Sequence, residues 1–358
     1  MTKVYFSEMY GTSENNNMPS KVRKLYDALK FDEKIEKGNQ VAIKLHFGEK
    51  GNTTYMHPVA VRQVVDKIKE KGGKPFLTDT NTLYSGSRTN SVDHLMTAIE
   101  NGFAYAVTNA PIIIADGLYS QNSVDVDIGK KHFSSVKIGG EIFHSDAMFV
   151  LSHFKGHSLS GFGGAIKNMA MGCAAASGKQ QQHSDVKPTI DKELCIGCGR
   201  CKVNCPVEAI DLVERKAEID DEICYGCGEC VTVCPVKPVR AVSIEWDSAS
   251  DIFLEKMAEY AYGSIKNKME KVGFITFVRD ITPLCDCCGW SGKPLAPDVG
   301  ILASTDPVAL DRACYDLVCE KVGYDPFARE HKNVDGKILM EYGEKIGLGK
   351  QDYILKQI

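Results

Sequence analysis

Apolar residues recur along this chain at two alternating periods. After Pro19-Ser20, the residues Val22, Leu25, Tyr26 and Leu29 fall on one side of a 3.6-residue turn, which predicts a helix with Gly38 beyond it. The run from Val41 to Phe47 is almost wholly apolar and predicts a strand. A second helical stripe, Val61, Val64, Val65 and Ile68, follows Pro58 and stops at Gly72-Gly73. Residues 74–78 predict a short strand and residues 91–100 a short helix. Further strands are expected over 111–115, 147–153, 273–278 and 299–303, and another helix from Asp251. Asp306-Pro307 reads as a cap followed by proline at the first helical position, ahead of a helix lined by Leu310, Ala313, Cys314 and Leu317. Strands alternating with helices predict an α/β fold: a mostly parallel sheet flanked by helices.

The alternation breaks near Lys187-Pro188 and resumes after Trp246. The expected organisation is therefore an α/β body in two parts, 1–187 and 247–358, with a small domain inserted over 188–246. Cysteine accounts for the break. The chain has 14, and eight of them lie in the 40 residues from Cys195 to Cys234. They form Cys195-Ile-Gly-Cys198-Gly-Arg-Cys201-Lys-Val-Asn-Cys205-Pro206 and Cys224-Tyr-Gly-Cys227-Gly-Glu-Cys230-Val-Thr-Val-Cys234-Pro235. Three thiolates at this spacing wrap one iron–sulfur cubane, and the fourth cysteine of each run reaches the other. On that logic Cys195, Cys198, Cys201 and Cys234 hold one 4Fe–4S cluster, and Cys224, Cys227, Cys230 and Cys205 hold the second. Structural zinc uses separated pairs, not four cysteines within 11 residues followed by proline. The stretch from about 190 to 245 resembles the two-cluster bacterial ferredoxin, with all eight ligands and both prolines present.

Composition narrows the functional classes. Over 358 residues, 43% apolar and 25% charged side chains describe an ordinary globular chain. Lys plus Arg number 43 against 47 Asp plus Glu, a net charge of −4, and no basic tract offers a footprint for nucleic acid. No apolar run is long enough to span a bilayer. Near Met1 only Val4-Tyr5-Phe6 is apolar, short of a signal peptide, so a cytoplasmic location is expected. There, dense cysteines point to metal rather than to disulfides.

Reactive residues follow the expected strands of the body: His46, Asp79-Thr-Asn81, Asp116, His153 and His157, Asp280 and Cys285, and Ser304-Thr-Asp306. In a parallel sheet these positions share one edge, where α/β proteins bind ligands, although loops there are commonly polar in any case. Gly161-Phe-Gly163-Gly164-Ala-Ile-Lys167 is a glycine loop entering a helix, a candidate cradle for an anion or cofactor at Gly161, Gly163, Gly164 and Lys167. Its spacing is not that of a Walker loop, and tight helix–sheet packing is the competing reading. Cys285-Asp-Cys287-Cys288 is the most specific feature of the body. It predicts a third metal or iron–sulfur site, completed by Cys173 or by His153, His157 or His183; a redox-active thiol pair and inert burial are the alternatives.

His153-Phe-Lys-Gly-His157 with its glycine loop, and Cys285-Asp-Cys287-Cys288-Gly289 ahead of Asp298-Val-Gly-Ile-Leu-Ala-Ser304-Thr-Asp306-Pro307, resemble the iron–sulfur centre proteins of domain of unknown function family 362. That resemblance covers nearly the whole chain and implies architecture more than activity. The glycine stretch is also similar to that of nickel-pincer lactate racemases, over a length too short to assign nickel. The expected function is electron transfer: two clusters exchanging single electrons with a redox partner protein and relaying them to the sheet edge. The competing class is an oxidoreductase acting there on a small anionic substrate.

Overall fold

In the computed structural model of the protein, residues 1–84, 86–183, 187–205, 207–224, 230, 233–236, 241–243 and 251–358 are described. The longer elements run in the order β1 (Thr2–Glu8), α1 (Met18–Ala28), β2 (Gln40–Lys44), α2 (Pro58–Glu70), β3 (Lys74–Thr78), α3 (Ser91–Ala98), β4 (Ala147–His153), α4 (Ala165–Cys173), α5 (Ala176–His183), α6 (Asp251–Ile265), β5 (Val272–Val278), β6 (Gly300–Ser304), α7 (Pro307–Val322) and β7 (Tyr353–Gln357). The seven strands form one sheet in the order β7-β1-β6-β5-β4-β2-β3. Neighbours from β5 to β3 pair in parallel, as do β7 and β1. Only β6 runs against its neighbours.

Every residue of β4 is buried, because helices cover both faces of the sheet. The two-residue period of the strand divides its side chains between two cores. Phe149 and Leu151 join Ile43 and Ile275 beneath α1 and α2, where Tyr26, Phe31 and Phe149 pack ring against ring. Met148 and Val150 join Phe274 on the other face, against Ile166 and Met169 of α4, Met257 of α6 and Leu310 of α7.

The helices at Pro58, Asp251 and Pro307 and the strands β2 to β5 lie where periodicity predicts them. Two expectations need correction. Residues 111–115 form no strand of the sheet and touch it through one parallel bridge, Leu77 to Ile112. Strand β1 and the edge strand β7 are not expected from the sequence: only Val4 and Ser7 of β1 are buried and β7 lies largely exposed, so neither carries an unbroken apolar run. Finally, Ser304 and Asp306 do not reach the common edge. In the antiparallel β6, Ser304 stands opposite Phe274 near the start of β5, which sends Asp306 to the far side.

Asp306 is structural there. Its carboxylate accepts N–H bonds from Val308 at 2.9 Å and Ala309 at 3.0 Å, capping α7, and from Lys350 at 2.8 Å, tying down the approach to β7. Between the two halves of the body, Thr189–Ile190 pairs antiparallel with Val242–Ser243, so the intervening segment enters and leaves at one neck. A hairpin of Ile210–Val213 and Lys216–Ile219 lies within it.

Asp306→Ala should lower the urea unfolding free energy by about 1–2 kcal/mol, the usual cost of a lost helix cap, while Asp306→Ser restores most of it. Neither change should alter anion binding at the opposite edge, as measured by calorimetric titration.

Candidate functional site

The parallel strands β2, β3, β4 and β5 end side by side and deliver their following residues to one cavity of about 260 Å³. Beyond β2 comes His46, with Lys44 at the strand's last position; beyond β3 come Asp79 and Thr80. His153 ends β4, and the chain then doubles back in a hairpin of Lys155–His157 with Gly161–Gly163. The loop after β5 contributes Cys285, Asp286 and Cys287, while α4 adds Lys167 and Asn168 and α5 adds Lys179 and His183.

Charged side chains gather behind a largely apolar wall. Lys44, Arg88, Lys155, Lys167 and Lys179 face it, against the carboxylates of Asp79 and Asp286. Asp79 takes Lys44 at 3.0 Å and the fully buried Arg88 at 3.2 Å. Arg88 also reaches Glu49 at 3.3 Å and sits 3.0 Å from Nε2 of His46. Asp286 accepts Nδ1 of His153 at 2.9 Å and Nζ of Lys155 at 3.1 Å. Burial alone would raise both acids, yet their cationic neighbours hold Asp79 and Asp286 well below the usual carboxylate range. Lys179 donates to the carbonyls of Asn81 and Ala174, each at 2.7 Å.

Lys167 is different. It has no hydrogen-bond or ion-pair partner among the described residues, and burial with the nearby Lys155 brings its ammonium down to about 7. The cavity thus holds one amine whose charge is left for something else.

The glycine loop does not cradle an external anion. The first N–H groups of α4, on Ala165 and Ile166, donate at 2.7 and 2.9 Å to the carboxylate of Asp311 from α7. An internal carboxylate already occupies the helix N-terminus. A Cβ on Gly164 would come within 2.3 Å of Asp311, which explains that glycine. Gly161, with φ of +72°, turns beside Gly336 and does not line the cavity, whereas Gly163 and Gly164 do. Lys167 is the charged part of the predicted cradle that lines the cavity.

A ring nitrogen of His157 and the sulfurs of Cys285 and Cys287 lie within 4.8 Å of one another, a donor set able to hold a metal. Cys285 and Cys287 are joined as a disulfide. The other predicted members lie apart from the triad. Both ring nitrogens of His153 are engaged, by Asp286 and by the carbonyl of Arg279 at 2.7 Å. Cys173 is fully buried in the core beneath α4, where burial pushes its thiol up to about 11. Cys288 and Cys173 do not line the cavity, whereas His183 does, at its rim, stacked on Phe253.

In the cysteine-rich segment, Cys195, Cys198, Cys201 and Cys234 line one small cavity of their own. Backbone N–H groups of Ala217 and Ala209 donate to the sulfurs of Cys195 and Cys205. Cys230 is buried in the same small core and Cys224 half-buried; Cys227 lies outside the described residues. Leu83 packs in that core and also lines the large cavity, so the two compartments meet at one side chain.

These motifs and this sheet place the chain among known sequences. The family described as "Domain of unknown function (DUF362)" matches residues 41–316. The chain belongs to that family. No curated protein matches it. Among solved structures, it is similar to the lactate racemase apoprotein from Thermoanaerobacterium thermosaccharolyticum, at 12% identity and TM-score 0.34, covering 65% of this chain and 49% of that one. A protein from Thermotoga maritima is similar at 10% identity and TM-score 0.39, covering 94% of this chain and 61% of the other. The chain spans about half the length of the racemase.

Arg88, Asp286, Lys155 and Asp311 were not singled out by sequence. Asp286 and Lys155 lie inside motifs that were, but Arg88 and Asp311 occupy unremarkable helical or loop contexts. Lys167 gives a test of sign. Its amine carries charge below about 7 and loses it above, in the company of Lys155, Arg88, Asp286 and Cys288. Binding of sulfate, followed by calorimetry, should weaken as pH rises from 6 to 8 with a midpoint near 7. Lys167→Gln should weaken binding at pH 6 and flatten the profile.

Proposed function

We propose that this chain is an iron–sulfur oxidoreductase that reduces a small anionic substrate in the cavity at the strand ends. The observation that carries this reading is the cavity's charge: five cations against two carboxylates, with Lys167 unpaired among the described residues. A pure electron carrier needs no enclosed space of substrate size, nor a spare ammonium within it.

The donor set of the inserted segment fits iron–sulfur clusters. Four cysteine sulfurs around one small cavity, with backbone N–H groups aimed at sulfur, suit a thiolate-held group. One 4Fe–4S cluster would be held by Cys195, Cys198, Cys201 and Cys234, the other by Cys224, Cys227, Cys230 and Cys205. Bound there, the clusters would supply single electrons, replenished by a redox partner protein in an anaerobic cytoplasm. The neck between Thr189 and Ser243 supports an inserted domain over 188–246.

The chain's own residues do the rest. Lys167 meets the substrate's negative charge. Arg88 and Lys155 are held rigid by Asp79, Glu49 and Asp286, so the wall keeps its charge without collapsing onto the ligand. Walls of Leu151, Leu159 and Phe253 exclude water and strengthen the attraction.

Protein purified without oxygen should contain roughly eight irons and eight acid-labile sulfides per chain, with visible absorbance that bleaches on reduction. Stoichiometric zinc without sulfide would contradict the proposal.

A further inference from the structure

We infer that Cys285 and Cys287 form a redox-active dithiol–disulfide pair, steadied by His157, that reduces a small disulfide carrying carboxylate or phosphate groups. The inference rests on the proposed oxidoreductase reading for its electrons and for its anionic ligand.

Three observations favour a thiol pair over a metal at the same three side chains. First, the local backbone presents the two sulfurs together. The N–H of Cys288 closes a turn onto the carbonyl of Cys285 at 3.0 Å, and Asp286 between the cysteines is pinned by His153 and Lys155. Cys285 and Cys287 line the cavity and are bonded to each other, with Cα atoms 5.3 Å apart.

Second, His157 is in the wrong tautomer for a metal ligand. Backbone N–H groups of Leu159 and Ser160 donate to its Nδ1, at 3.2 and 3.1 Å. A backbone N–H can only donate, so Nδ1 keeps its lone pair and the proton of the neutral ring sits on Nε2. A ligating histidine needs the reverse: a lone pair toward the metal and a proton on the far nitrogen. Here the nitrogen left for the sulfurs is a donor, suited to hydrogen-bond a thiolate.

Third, the electron count agrees. Opening the disulfide takes two electrons and two protons, and two one-electron centres in the inserted domain provide two electrons.

The chemistry is thiol–disulfide exchange. Cys287, half-exposed, attacks one sulfur of the bound substrate as a thiolate, its proton released to water and the anion met by His157; Cys285 is only 4% exposed and is the resolving partner. The substrate's S–S bond breaks, and its first half leaves as a thiolate that takes a proton from water, while Lys167 keeps its charge against the substrate's own acid groups. Cys285, deprotonated in the same way, then attacks the sulfur of Cys287 in the mixed disulfide. The second half leaves as a thiol and the Cys285–Cys287 bond re-forms. One substrate disulfide becomes two thiols, and the pair is oxidised by the two electrons lost.

The test uses the full-length protein purified without oxygen, reduced with dithionite, desalted, mixed with oxidised glutathione as an anionic disulfide, and mapped by alkylation and peptide mass. Cys285 and Cys287 should both be alkylated after dithionite and both protected, joined to each other, after glutathione. Cys285→Ser should trap a glutathionyl adduct on Cys287. Lys167→Gln should weaken binding of oxidised glutathione roughly tenfold, the loss of one contact to a charged group, without changing cluster absorbance. Alkylation that is unaffected by either treatment would overturn the inference. So would one equivalent of metal, beyond cluster iron, that the Cys285→Ser/Cys287→Ser variant loses. If iron and sulfide are missing, the oxidoreductase reading falls by itself, and the same mapping with dithiothreitol as reductant decides the pair: switching upholds it and no switching overturns it.

Discussion

Two buried carboxylates, Asp79 and Asp286, hold the strand ends together. An unpaired charge in such a place costs several kcal/mol, so each cation there needs a partner or a changed protonation state. Asp79 satisfies Lys44 and Arg88, and Asp286 satisfies Lys155 and His153. Lys179 is satisfied by backbone carbonyls. Lys167 has neither carboxylate nor carbonyl, and its ammonium drops to about 7 in consequence. The parallel arrangement of β2 to β5 forces these groups into one volume, and the shortage of acids there is the basis on which we propose an anionic ligand.

Much of this was legible in sequence because buried strands and amphipathic helices leave strong periods. The helix stripes of α1, α2 and α7 and the apolar runs of β2 and β4 needed no tertiary information. Strand direction did. Val299 to Ala303 reads as a strand in either sense, and only its pairing with β1 and β5 shows that Asp306 faces away from the site. Strand β1 and the edge strand β7 are partly exposed and therefore carry little apolar signal. The glycine loop was read as a place for an external anion, and the sequence holds no sign that Asp311, 146 positions beyond Ala165, fills its N–H groups. Arg88 was invisible for a related reason: its acids, Asp79 nine positions away and Glu49 39 away, converge on it only through the fold.

Among the described residues, three cysteine environments stand out. Cys195, Cys201, Cys230 and Cys234 are buried in a small core of their own with Cys205 packed against it, and their crowding makes them candidates for thiolate-held clusters. Cys173 and Cys314 are small apolar packing residues whose thiols burial suppresses. Among the described cysteines, Cys285 and Cys287 alone line the cavity, beside an imidazole whose tautomer is set by backbone N–H groups. Leu83 belongs both to the lining of that cavity and to the cysteine-rich core, so the two compartments adjoin.

The central claim is that one-electron centres and a two-electron acceptor share this chain. Coulometric titration of the anaerobically purified protein tests it most directly. The account predicts uptake of about four electrons per chain, one for each cluster and two for the Cys285–Cys287 bond, falling to about two in the Cys285→Ser/Cys287→Ser variant. Equal uptake by the two proteins would contradict it.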